Sequence, residues 1–189
     1  EGLGGSEPGF AEMMTERARD LGMENSTFMN STGWPNADHK TTARDLAYLT
    51  KHLIKHHTSS YGMFAERSFT WNGITQQNRN PLLYANMGAD GLKTGHTQDS
   101  GYGLVASAEQ NGRRLILVIN GLQSKKERAS KAASAISSSF GCEEAKQRIG
   151  RAPICSLRMR SASSSASRGG ERGFSEPSTR TLPPNAVIC

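Results

Sequence analysis

Asp90-Gly91-Leu92-Lys93-Thr94-Gly95-His96-Thr97, then Gly103-Leu104-Val105-Ala106-Ser107-Ala108, then Leu115-Ile116-Leu117-Val118-Ile119 form one nearly continuous series. Asn111-Gly112 lies between the last two runs, and this dipeptide suits the left-handed turn of a two-residue hairpin. The spacing therefore predicts strands over about 100–109 and 113–121, preceded by a strand carrying Lys93. A lysine, a hydroxyl and a residue without a side chain on one exposed strand edge suit a peptide that ends in a carboxylate. Lysine supplies positive charge, threonine a hydrogen bond, and glycine room for a second backbone.

Working outward from this sheet, the remaining segments read as helices. Ser6-Glu7-Pro8 opens the first, with Ser6 as N-cap and proline tolerated in the first turn. Phe10, Met13, Met14, Ala18 and Leu21 follow at helical spacing, and Gly22 can close the helix in the left-handed region. A second helix starts near Thr41 or Thr42, with Asp45 in a box-like position and Leu46, Leu49, Leu53 and Ile54 as its buried stripe. Lys51, Lys55, His56 and His57 suit its carboxyl end. Ser68-Phe69-Thr70-Trp71 alternates like a short strand, Asn72 to Asn86 reads as polar and turn-rich, and a last helix is predicted from Ser124 to Phe140. Helices and strands segregate along the chain, so the expected fold class is α+β, an antiparallel sheet with packed helices.

The 189 residues suffice for one domain with a real core. The net charge of +6 hints at nucleic acid, but residues 1–140 hold 15 Lys+Arg against 13 Asp+Glu, and residues 141–189 hold 8 against 4. The basic character is concentrated in a tail that includes the low-complexity run Ser161 to Gly170, and a nucleic-acid surface needs charge on a folded face. The expected organisation is a domain over 1–140 and a disordered or frameshifted tail over 141–189. All three cysteines, Cys142, Cys155 and Cys189, lie in that tail, without metal-like spacing.

The chain resembles the low-molecular-weight penicillin-binding proteins that act as D-alanyl-D-alanine carboxypeptidases. The likeness is carried by Gly5 to Phe10, Ala18 to Met23, Asn30-Ser31-Thr32-Gly33-Trp34-Pro35, His39 to Ala47, Gln77 to Leu83, Gly88 to Thr97 and Gly101 to Ala108. Lys93-Thr94-Gly95 corresponds to the Lys-Thr-Gly motif of that family and of class A β-lactamases. The resemblance implies part of a penicillin-binding-protein or β-lactamase-like transpeptidase fold. It implies a serine hydrolase of peptidoglycan metabolism, located outside the cytoplasmic membrane. Such an enzyme removes the terminal D-alanine of a stem peptide through an acyl-enzyme. Neither Ser-x-x-Lys nor Ser-x-Asn, the family's other two motifs, occurs in the sequence. The chain is therefore expected to be a fragment, inactive alone, whose nucleophile would precede residue 1 and whose membrane anchor is missing.

By the same resemblance Lys93 is a catalytic residue that raises positive potential beside the nucleophile. Thr94 would bind the substrate carboxylate, Gly95 would admit its backbone, and His96 would border the site. Arg128 matches a family arginine that pairs with the carboxylate, a role suited to its planar fork. His39 lies where the family places a histidine near the site. The expected partners are stem peptides ending in D-Ala-D-Ala and, for a full-length protein, β-lactams. No nucleic acid, cofactor or metal is expected. His52, His56 and His57 have a spacing able to bind metal, but with no carboxylate to complete a site they read as a solvated helix end. Phe69, Trp71, Met13 and Met14 read as core residues. Three other readings remain: a non-catalytic module that holds stem peptides, a nucleic-acid binder working through the tail, and a class A β-lactamase. The segments around His39 and Gln77 favour the carboxypeptidase over the last.

Overall fold

A computed structural model describes residues 1–149 and 186–188, with side chains described through Gly141. Helix α1 spans Glu7–Asp20, α2 Ala43–His56 and the short α3 Thr58–Tyr61. Strands β1 (Ser68–Trp71) and β2 (Ile74–Gln77) form a separate hairpin. Strands β3 (Ala89–Thr97), β4 (Gly101–Gln110), β5 (Arg113–Leu122) and β6 (Ala186–Ile188) form an antiparallel sheet in that order. Helix α4 (Lys125–Ile149) follows β5.

Local chemistry explains the boundaries. Ser6 Oγ accepts from Gly9 N at 3.1 Å, and Thr42 Oγ1 accepts from Asp45 N at 3.1 Å, so both helices start at hydroxyl caps. Gly22, just past α1, has a φ of 79°. Before α4, Ser124 Oγ accepts from Glu127 N at 3.0 Å while Glu127 Oε2 accepts from Gln123 N at 2.9 Å, a reciprocal arrangement that satisfies two helix-start donors. Asn111 and Gly112 both take positive φ, 51° and 72°, which matches the twist of β4 and β5.

Opposite faces of the sheet serve different helices. Leu104, Ala106, Leu115, Leu117 and Ile119 pack against Ala132, Ala135 and Ile136 of α4. Val105, Ile116 and Val118 pack against Ala47, with Ala43, Leu46 and Ile54 alongside, all from α2. Strands buried on both sides read as continuous apolar runs, which is why β4 and β5 stand out in the sequence. Each large aliphatic side chain fully buried here contributes about 1.5–3 kcal/mol.

Four expectations need correcting. Phe69 and Trp71 are not core residues: they are 62% and 75% exposed, because their hairpin is not part of the four-stranded sheet. Its second strand lies within the predicted turn region, around an Asn72-Gly73 turn with φ of 48° and 74°, the same signal as Asn111-Gly112. Met13 is 47% exposed, since it lines an open cleft of about 520 Å³ between α1 and Leu49 rather than a closed core. Leu46, Leu49, Leu53 and Ile54 are only half-buried, and the fully covered positions of α2 are Asp45, Ala47 and Thr50. Asp45 is buried because Oδ2 accepts from Ser26 Oγ at 2.7 Å and Asn25 N at 3.0 Å, tying the loop after α1 to α2.

Helix α4 continues past Phe140 to Ile149, and β6 pairs Ala186–Ile188 with Leu117–Ile119 of β5. The low-complexity run from Ser161 to Gly170 lies outside the described residues. No helix among the described residues is long and apolar enough to cross a membrane.

Candidate functional site along the β3 edge

Strand β3 is at the end of the sheet order, so among the described residues its outer edge has no strand neighbour. Free N–H and C=O groups on such an edge can pair with an extended peptide. Lys93, Gly95 and His96 are exposed and Thr94 is buried at 9% exposure.

Register assigns these side chains to two faces. Lys93 pairs with Val105, which packs toward α2, while Thr94 and His96 pair with Leu104 and Tyr102 on the α4 side. Lys93 does not remain on its own face, because its ammonium turns to donate to the Thr94 carbonyl at 2.7 Å. The charge is therefore held at the backbone of the edge. Gly95 pairs with Gly103, and a Cβ added at Gly95 would meet nothing within 4 Å. Nothing among the described residues demands glycine there, which leaves space for an incoming backbone. Gly103 differs: a Cβ would meet Asn120 Oδ1 at 2.5 Å, so a larger residue there would have to displace the Asn120 side chain.

On the α4 side the rings of His96 and Tyr102 lie 4.0 Å apart between centroids. The Arg128 guanidinium carbon sits 5.8 Å from the Tyr102 ring centre. Arg128 is 7% exposed, donates from Nη2 to the Arg79 carbonyl at 3.3 Å, and leaves Nε without a hydrogen-bond partner among the described residues. Burial lowers its pKa, with the Tyr102 phenol working in the opposite direction. A buried guanidinium without a carboxylate costs free energy unless an anion completes it. His96, Tyr102 and Arg128 thus form one run of contacts on the α4 side, while Lys93 and Gly95 belong to the other face of the same strand.

His39 lies in the loop between α1 and α2, where Nδ1 accepts from Met29 N at 3.3 Å and its ring meets Phe28 edge-on at 5.5 Å.

The structure adds supports that motif reading did not assign. Asn80, 1% exposed, donates to the Gly91 carbonyl at 2.7 Å and accepts from Leu82 N at 3.1 Å, fixing β3 two residues before Lys93. Asp90 pairs with Arg114, which also reaches Glu109 and donates to Ser107 Oγ at 2.7 Å. Burial opposes the charge on Arg114, but the hydrogen bond and charge of Asp90, with Glu109, raise its pKa overall. Tyr61 Oη donates to Asp90 Oδ1 at 3.1 Å, and a Cβ at Gly91 would meet that hydroxyl at 3.0 Å. Burial first, then Asp90, pushes the Tyr61 phenol up to about 12 against the opposing Ser107 hydroxyl. The sequence signal for this post was present in the Asp90-Gly91 start of the motif and in Arg114 opposite Glu109. Among the described residues no group of three or more His, Cys, Asp or Glu is arranged to hold a metal.

Comparison with known proteins gives the family. The profile of the D-alanyl-D-alanine carboxypeptidases, peptidase family S11, matches residues 1–124. The D-alanyl-D-alanine carboxypeptidase DacD of Salmonella typhimurium is 42% identical over 131 residues, covering 69% of this chain and 34% of that protein. Its Escherichia coli counterpart is 43% identical, with the same coverage. Penicillin-binding protein 5 of Haemophilus influenzae superposes with a TM-score of 0.71 at 35% identity, over 75% of this chain and 42% of that one. Penicillin-binding protein D2 of Listeria monocytogenes in its ampicillin-bound form gives 0.61 at 28% identity, over 67% and 55%. The chain spans about a third of the length of the curated relatives it matches. With an α+β fold, an open Lys-Thr-Gly strand edge and a profile match over most of its described length, the chain belongs to the D-alanyl-D-alanine carboxypeptidase family.

Proposed function

We propose that this chain carries the carboxylate-recognition side of a serine D-Ala-D-Ala carboxypeptidase that trims peptidoglycan stem peptides outside the cytoplasmic membrane. The observation that carries the reading is a strand edge with no strand neighbour among the described residues beside a buried arginine whose Nε finds no acceptor among them. An extended peptide would add to β3, with its backbone crossing Gly95. Its terminal carboxylate would take hydrogen bonds from Thr94 and Arg128, and Lys93 would hold positive potential at the reacting end. Acyl transfer further needs an activated serine. The sequence contains no Ser-x-x-Lys, so the chain by itself binds and does not turn over. β-Lactams, which carry a carboxylate near their reactive carbonyl, would engage the same edge in an enzyme with its nucleophile.

The test is a backbone-amide NMR titration of the chain with an L-Lys-D-Ala-D-Ala peptide and with its C-terminal amide. Shifts confined to β3 and the start of α4, lost with the amide and with Arg128→Ala, are expected. Equal shifts with the amide would remove the carboxylate from the reading.

A further inference from the structure

The ring of Tyr102 in β4 meets both His96 of β3 and Arg128 of α4. Its backbone is closely held. Gly101, just before it, has a φ of 64°, and a Cβ there would meet the Leu122 carbonyl oxygen at 2.8 Å and the Gly121 backbone at 3.1 Å. Left-handed backbone and so close a contact together suit glycine alone, so the start of β4 is pinned against the end of β5. In register Tyr102 stands opposite His96, and their planes are inclined by 38°. Cross-strand ring pairs of this kind hold each other in place. The ring is half-buried and packs on the α4-side core.

Arg128 depends on that ring for its direction. Its guanidinium carbon lies over the ring, within the range of a cation–π contact. Arg114 lies over Tyr61 at a similar 5.9 Å, but Asp90 and Glu109 also clasp it through two ion pairs. The Arg128 side chain has one hydrogen bond among the described residues, to the Arg79 carbonyl, and at 3.3 Å it is long. One weak bond does not fix a guanidinium; the ring supplies a second point of contact. It also takes up none of the in-plane N–H donors, whereas an orienting carboxylate would consume them and cancel the charge.

We propose that Tyr102 is a positioning residue for carboxylate recognition: its ring sets the direction of the Arg128 guanidinium and leaves the donors for the terminal carboxylate of the peptide. The inference rests on the carboxypeptidase reading, in which Arg128 takes that carboxylate. The ring face does the orienting, and the phenol hydroxyl has no part in it. His96, in contact with the same ring, ties the direction of Arg128 to the strand along which the peptide adds.

The test is the affinity of the 189-residue chain for the L-Lys-D-Ala-D-Ala peptide and for its C-terminal amide, measured by the same NMR titration. In the wild type the acid should bind more tightly. Equal affinities there would overturn the carboxylate reading, and this inference with it, before any variant is compared. Tyr102→Leu should lower affinity for the acid about tenfold, equivalent to about 1.4 kcal/mol, and leave that for the amide within twofold. Tyr102→Phe, which keeps the ring, should bind both peptides within twofold of wild type. Equal losses for acid and amide in Tyr102→Leu overturn the proposal in favour of a structural role. An undiminished acid preference, or Tyr102→Phe behaving like Tyr102→Leu, overturns it as well. Should far-UV circular dichroism show that Tyr102→Leu does not fold, a ring-fluorinated form of Tyr102→Phe decides. Fluorine withdraws electrons from the ring face at nearly constant volume, so the acid preference should fall at least threefold relative to Tyr102→Phe. No fall overturns the proposal.

Discussion

Tyr61 should make the stability of this chain fall on the alkaline side, and Tyr61→Phe should remove that fall. The phenol is 8% exposed and stands at about 12 in the fold, against 10.0 for an ordinary tyrosine. A group raised on folding contributes stability that is fully present below the unfolded value and is lost as pH climbs through the folded one. At pH 11 an unfolded Tyr61 is about ten-elevenths ionised while the folded one stays mostly neutral. The loss relative to pH 8 is then about 1.4 kcal/mol, approaching about 2.7 kcal/mol above pH 12 as a ceiling that solvent screening reduces. At pH 8 the substitution itself costs about 0.5–1.5 kcal/mol through the lost bond to Asp90. The two unfolding curves should therefore converge as pH rises. Urea unfolding at pH 8, 9.5 and 11, followed by tryptophan fluorescence, measures the difference, and other titrating groups cancel because both proteins share them. Parallel losses in wild type and Tyr61→Phe would refute the reasoning, since the buried phenol would then have no part in the pH dependence.

Further outcomes follow from the core and the β3 edge. Leu117 has no exposed surface within the α4-side core, so Leu117→Ala should cost about 2–5 kcal/mol in urea unfolding, the range for a buried leucine that leaves a cavity. Asn80→Ala strands the Gly91 carbonyl and Leu82 N–H and should cost about 1–3 kcal/mol; it should also weaken stem-peptide binding in the NMR titration, because β3 loses its anchor before Lys93. Asn80→Asp keeps the acceptor for Leu82 but places a carboxylate against the Gly91 carbonyl, so it should weaken binding at least as much. A fluorescent penicillin should leave no covalent label on the 189-residue chain, and a labelled band in a denaturing gel would show a nucleophile outside Ser-x-x-Lys.

What the sequence disclosed, and what it hid, divides along the range of the interactions involved. The β3–β4–β5 sheet was legible because its strands are continuous apolar runs and its turn is an Asn-Gly pair whose backbone preference is local. The caps at Ser6 and Thr42 were legible for the same reason, each needing only residues three positions away. Phe69 and Trp71 misled because alternation reports that one face of a strand is apolar, not which layer covers it. Met13 misled likewise, since helical spacing cannot say whether the facing surface closes. At the candidate site, Lys93, Thr94, Gly95 and Arg128 are named by a motif and a resemblance. The buried guanidinium at Arg128 could not be, because it depends on Tyr102 and on the Arg79 carbonyl 49 residues away. Tyr61, Asn80, Asp90 and Arg114 escaped assignment on the same grounds: Tyr61 reaches Asp90 across 29 positions, and Asp90 meets Arg114 across 24. A motif names the groups that face a ligand, whereas the residues that hold its strand in place are chosen by three-dimensional packing and carry no fixed spacing. The edge is thus read from the sequence and its rigidity from the fold, so substitutions at Asn80 and Tyr61 should move binding through β3 without touching the peptide.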